Sequence, residues 1–160
     1  MRNATIYLAG QIAMDKRTYL WRNDFVYWCA GFPEITIINP CDTEFDKVAL
    51  SEGDRDQHGY NSAQMAEDAI ILLPHIDYGH VTRRADIVIF DLNHYDKRRP
   101  MVGTLFEMAW AFTCPELMVI GVIDGDPKEN PLCRHPFVQE TIQIWRPDHR
   151  AAFETVLRHL

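Results

Sequence analysis

Five short apolar runs constrain the chain most: Thr5 to Ala9, Ile35 to Ile38, Ala85 to Leu92, Leu117 to Ile123, and Thr141 to Trp145. Most of their side chains are β-branched or aromatic, and the runs are nearly continuous rather than alternating. That pattern belongs to strands covered on both faces, as in parallel sheets. Helical spacing fills the gaps. From Arg17 to Ala30, Leu20, Trp21, Phe25, Trp28 and Cys29 recur at three- and four-residue steps. Good helix formers run from Thr104 to Thr113. Phe153, Val156, Leu157 and Leu160 stripe the segment from Pro147 to Leu160, where Pro147 suits a first turn. This alternation predicts an α/β fold, doubly wound and flavodoxin- or Rossmann-like, with a mainly parallel five-stranded sheet flanked by helices. The 160 residues suffice for one domain, 1–160.

Charge narrows the partners. Lysine and arginine number 16 against 23 aspartates and glutamates, a formal charge of −7. Phosphate backbones and anionic membrane surfaces repel such a chain, which argues against a nucleic-acid polymer or a membrane as main partner. No export signal is evident, so a cytoplasmic protein is expected, with Cys29, Cys41, Cys114 and Cys133 as reduced thiols. The polar stretch from Asn39 to Ala66 carries Asp42, Glu44, Asp46, Glu52, Asp54 and Asp56 and reads as one long functional loop.

Ligands of open α/β sheets bind beyond the carboxyl ends of the strands. The residues there are Gly10-Gln11, Asn39-Pro40-Cys41-Asp42, Asp91, the segment ending in Gly103-Thr104-Leu105-Phe106-Glu107, and Asp124-Gly125-Asp126. Gly103 permits close backbone approach at a turn, Thr104 can open a helix, and Glu107 then falls in its first turn, where a carboxylate can act as nucleophile or base. Thr-x-x-Glu is also a capping box, in which the two side chains satisfy each other's backbone amides. His58, His75, His80, His94 and His135 form no metal-ligand spacing, and Asp124-Gly125-Asp126 reads as a turn rather than a calcium loop. Neither a dinucleotide fingerprint nor a P-loop is present, so no cofactor is expected. Trp21 and Trp28 read as core helix residues.

In order along the chain, Ile6-Tyr7-Leu8-Ala9-Gly10, Trp21-Arg22, Asn39-Pro40, Ala85-Asp86-Ile87-Val88-Ile89 and Gly103-Thr104-x-x-Glu107-x-x-x-Ala111 resemble the nucleoside 2-deoxyribosyltransferase family, which includes 2'-deoxynucleotide N-hydrolases. The resemblance implies that Glu107 attacks C1' of a 2-deoxyribose and expels the base, leaving a glycosyl-glutamate that a second nucleobase captures. The alternatives are capture by water, giving hydrolysis, or a non-catalytic nucleotide-binding or sensing module. It also implies that Tyr7 holds the glutamate by hydrogen bonding, where the bland reading is a core aromatic. Gly10 and Gln11 match the turn that approaches the sugar or phosphate. The family's second carboxylate lies eight residues ahead of the aspartate that opens strand three. Counting back from Asp86 gives Tyr78, so the nearest acid, Asp77, fits with one inserted residue near Thr82-Arg83-Arg84. Asp77 is otherwise a solvated or capping aspartate. Met101 departs from both the aspartate of the transferases and the serine of the nucleotide hydrolases. Lys97, Arg98 and Arg99 just upstream could neutralise a phosphate. The resemblance further implies a small nucleoside or nucleotide substrate and a homo-oligomer; Trp110 and Phe112 are exposed-looking aromatics that could serve it or could equally be core.

Overall fold

The computed structural model describes residues 3–13, 15–42 and 67–160, with side chains of the last stretch from residue 72 onward. Most of the long acidic loop expected over Asn39 to Ala66 lies outside the described residues. Its start, Pro40–Asp42, is a 3-10 turn in which Asn39 Oδ1 accepts the Cys41 amide at 3.1 Å.

Strands β1 (Ala4–Gly10), β2 (Ile35–Ile38), β3 (Ile87–Asp91), β4 (Met118–Val122) and β5 (Ile144–Arg146) form one sheet in the order β2-β1-β3-β4-β5, every pair parallel. The helices are α1 (Arg17–Cys29), α2 (Glu67–Gly79), α3 (Val102–Phe112), α4 (Pro136–Thr141) and α5 (His149–His159), and a π-helical turn, His80–Arg84, follows α2. The expected doubly wound α/β architecture is therefore present. Successive strand residues face opposite sides, and each side has its own core. On one, Tyr7, Ala9, Val88, Phe90 and Val119 pack with Val81, Met108, Ala111 and Val138. On the other, Ile6, Leu8, Ile87, Ile89 and Ile120 pack with Trp21 and Phe25 of α1 and Ala152, Phe153 and Val156 of α5. Each large apolar side chain buried in this way contributes ~1.5–3 kcal/mol.

Several boundaries move, each for a local reason. Thr141 belongs to the end of α4 rather than to the fifth strand, because Pro136 at the first helical position starts a helix that the expected strand overran. Pro147 precedes the last helix instead of entering it. Asp148 is the N-cap, its Oδ1 accepting the Ala151 amide at 2.7 Å. Helix α2 runs through Pro74, a residue that normally argues against a helix interior. Among the described residues no helix is long and apolar enough to cross a membrane.

Candidate active site

The chain leaves β1 toward β2 and leaves β3 toward β4, although β1 and β3 are neighbours with Gly10 beside Asp91. The two loops therefore diverge and leave a crevice above the carboxyl ends of these strands, as a topological switch point requires. A cavity of about 730 Å³ opens there, within the usual ~300–1,000 Å³ of small-molecule sites. Gly10, Gln11 and Ile12 line it after β1, and Asp96, Arg98, Arg99, Pro100 and Met101 after β3. Val102, Gly103, Thr104 and Glu107 of α3 close another side, with Pro40 beyond β2 and Leu73 and Asp77 of α2.

Glu107 is the only charged residue of α3 and is 7% exposed. The helix begins at Val102 with Met101 as its N-cap, and Met101 makes no side-chain cap bond. Glu107 thus sits in the second turn, not the first, and the Thr104–Glu107 capping box is not formed. Its Oε1 accepts instead the hydroxyl proton of Tyr7 at 2.5 Å. Tyr7 is fully buried in the middle of β1 and is at once a core aromatic and the partner of Glu107. Gly103 lines the cavity and has open space where a Cβ would project.

Asp77 completes the cluster. It lines the same cavity, and its charge acts on both Tyr7 and Glu107. The π-helical turn after α2, closed by the Ala85 amide on the His80 carbonyl at 2.9 Å, takes up one residue more than an α-helical turn. That extra residue lies between Asp77 and Asp86. Burial pushes the Glu107 carboxyl up from 4.5 to about 8, the Asp77 charge adds to the rise, and the Tyr7 hydrogen bond and the Arg22 charge oppose it. Burial, followed by the charges of Glu107 and Asp77, raises the Tyr7 phenol well above its ordinary value, so it remains a proton donor.

Two expected substrate contacts have other occupations. Asp91 points to the sheet face opposite Tyr7 and does not line the cavity. Its Oδ1 accepts the Asn93 amide at 3.1 Å and Asn93 Nδ2 at 2.7 Å, and its Oδ2 lies 3.4 Å from His149 Nε2. Gly10 has a packing reason to be glycine, since a Cβ there would come within 3.0 Å of the Asp91 Cβ. Arg98 and Arg99 reach the cavity and Lys97 does not; Arg98 pairs with Asp96 at 3.1 Å.

Arg22 is a residue whose role the sequence left unread. Fully buried, it spans the end of β1, donating to the carbonyls of Leu8 at 3.3 Å, Gly10 at 2.8 Å, Gln11 at 3.4 Å and, most closely, Thr18. An arginine on the apolar stripe of α1 was its visible signal.

No family model matches the chain, and no curated protein matches it. Among solved structures, a crystal structure described as a conserved protein from Enterococcus faecalis V583 aligns with a TM-score of 0.56, covering 98% of this chain and 99% of that chain at 12% identity. At that identity the likeness is one of fold, and the chain shares the doubly wound α/β architecture from end to end.

Proposed function

We propose that the protein cleaves the N-glycosidic bond of a 2'-deoxynucleoside or its 5'-monophosphate, with Glu107 as nucleophile and transfer of the deoxyribose to another nucleobase. The observation that carries this reading is the cluster at the cavity, where the Tyr7 hydroxyl bonds to Glu107 and the charge of Asp77 acts on that same carboxyl. Burial and the Asp77 charge raise Glu107 to about 8, so below that pH the two carboxyls keep a proton between them. In the reactive form that proton sits on Asp77 and Glu107 is the anion, two carboxyl groups with divided roles.

The reaction follows from that division. A Glu107 oxygen bonds to C1' as the bond from C1' to the base nitrogen breaks. The electron pair stays with the base, which takes the proton from Asp77. The missing 2'-hydroxyl eases the oxocarbenium-like transition state, and the carboxylate stabilises its positive charge. A nitrogen of the incoming base then bonds to C1', the ester breaks, and the acceptor's proton returns to Asp77. Water in place of the base gives hydrolysis.

The reading includes a homo-oligomer. Val102, Leu105, Phe106 and Phe112 of α3 are 42–59% exposed, and Leu72 and Ile76 of α2 are 54% and 40% exposed. No charge interrupts the exposed side of α3, so two copies of this apolar face can pack on each other in a self-complementary interface without burying an unpaired charge.

Incubation with each deoxynucleoside and deoxynucleoside 5'-monophosphate, with and without a free base, tests the reading. Exchange of the base supports transfer, and free base without acceptor indicates hydrolysis. Calorimetric binding without turnover would replace both with a sensing module.

A further inference from the structure

Met101 and the arginines beside it form the wall of the cavity contributed by the loop after β3, and this wall is fastened to β1 chiefly through one amide. Gln11 is 5% exposed. Its Oε1 accepts the Asp96 amide at 2.9 Å, while its Nε2 donates to the Asp96 carbonyl at 3.0 Å and the Arg99 carbonyl at 3.1 Å. The Arg99 amide in turn donates to the Asp96 carbonyl at 3.2 Å, so residues 96–99 make a turn that Gln11 brackets at both ends. Arg99 Nη1 adds a bond to the Ile12 carbonyl at 3.1 Å. The acceptor and both donors of the Gln11 amide are engaged within the protein. The expectation that Gln11 contacts sugar or phosphate assigns the same donors twice.

We infer that Gln11 is a positioning residue that sets the place of the 96–101 wall, and with it the fit of the cavity to its substrate, rather than a group that binds substrate itself. The side chain must be glutamine for a reason of polarity. Two carbonyl oxygens and one amide N–H face it, so it needs a donor group and an acceptor in one planar unit. Glutamate keeps the acceptor but points an anionic oxygen at two carbonyls. It is nearly the same size, so the packing is unchanged and the hydrogen-bond polarity alone is altered. The chemistry at Glu107 lies on α3 and β1 and does not pass through this amide.

The effect on substrate rests on the glycosyl reading above, and the test therefore has an arm independent of it. Lys97 and Arg98 provide trypsin sites inside the bracketed turn. Limited trypsinolysis of Gln11→Glu, followed by mass spectrometry, should show cleavage after Lys97 or Arg98 at least ~10-fold faster than in the wild-type protein, because cleavage follows the population of the opened loop. With a deoxynucleoside that the wild-type protein turns over, Gln11→Glu should raise KM ~10-fold or more. kcat should stay within ~3-fold and the pH profile of kcat should not move, the pattern of lost binding without lost chemistry. If Gln11→Glu does not fold, Gln11→Met, uncharged and of similar length, carries both arms with the same direction expected. Wild-type nicking rates in the variant overturn the bracket. Faster nicking with unchanged KM overturns its bearing on substrate. Faster nicking in a protein that turns over no deoxynucleoside keeps the bracket and removes only the glycosyl reading.

Discussion

The Tyr7 hydroxyl and the Glu107 carboxylate, one hundred residues apart in sequence, are joined by a hydrogen bond of 2.5 Å at the floor of the cavity. The bond lowers the cost of the buried anion, and the phenol, raised well above its ordinary value, keeps its proton and stays the donor. Tyr7→Phe should therefore reduce kcat/KM ~10²-fold, the usual loss on removing one preorganised donor. It should also move the Glu107 ionisation above about 8. A pH–rate profile of the variant checks both.

The pH dependence of the wild-type protein follows from the pair. The proposed chemistry needs one proton on the Asp77–Glu107 pair, and burial with the Asp77 charge raises Glu107 to about 8. kcat/KM should fall as pH rises through that value, because both carboxyls are then ionised and the leaving base receives no proton. Asp77→Asn removes the charge that raises Glu107, so Glu107 ionises at lower pH. The variant should lose ~10²–10⁴-fold in rate with natural bases, and much less with a leaving group that departs without protonation. Equal losses with both would remove Asp77 from the acid role.

Stability follows the same group in the same direction. The folded-state pKa of Glu107 is raised from 4.5 to about 8, so its favourable contribution is complete below 4.5 and is lost as pH rises through about 8. Glu107→Gln abolishes the proposed chemistry yet should melt higher than the wild-type protein at pH 9, by ~5 °C, since each kcal/mol shifts Tm by ~2–4 °C at this chain length. Near pH 4 the two should melt together. Scanning calorimetry at the two pH values decides it.

The uncharged face of α3 gives a separate expectation. Phe106 is 59% exposed and Phe112 55%. Phe106→Glu should convert an oligomer to a monomer in sedimentation at micromolar concentration while leaving the fold intact. A wild-type monomer under the same conditions would mean that this face is not a self-association surface.

The fold was legible because continuous apolar runs and helical stripes are local signals. All five strands lie at or within a few residues of the sequence runs. The last strand and last helix shifted where Pro136 and Asp148 set the helix starts more strongly than the apolar pattern did. The site was legible only in part. Glu107 stood out by its glycine-led segment, but the same letters spelled a capping box. Only the start of α3 at Val102 decided that the carboxylate faces Tyr7 instead of its own backbone. Asp91 occupied the right strand end and the wrong face, a distinction of one residue in a period of two. Gln11 was visible as a residue of the β1 turn, yet its true partners, the backbone groups of Asp96 and Arg99, carry no sequence signature at all.

Intact-mass spectrometry after an acid quench, with a reactive deoxynucleoside or its monophosphate and no acceptor base, tests the nucleophile most directly. One deoxyribosyl or phosphodeoxyribosyl group should be found as an ester on the peptide containing Glu107 and should be absent from Glu107→Gln. Base release by Glu107→Gln at the wild-type rate, with no adduct on the wild-type protein, would contradict covalent chemistry at this residue.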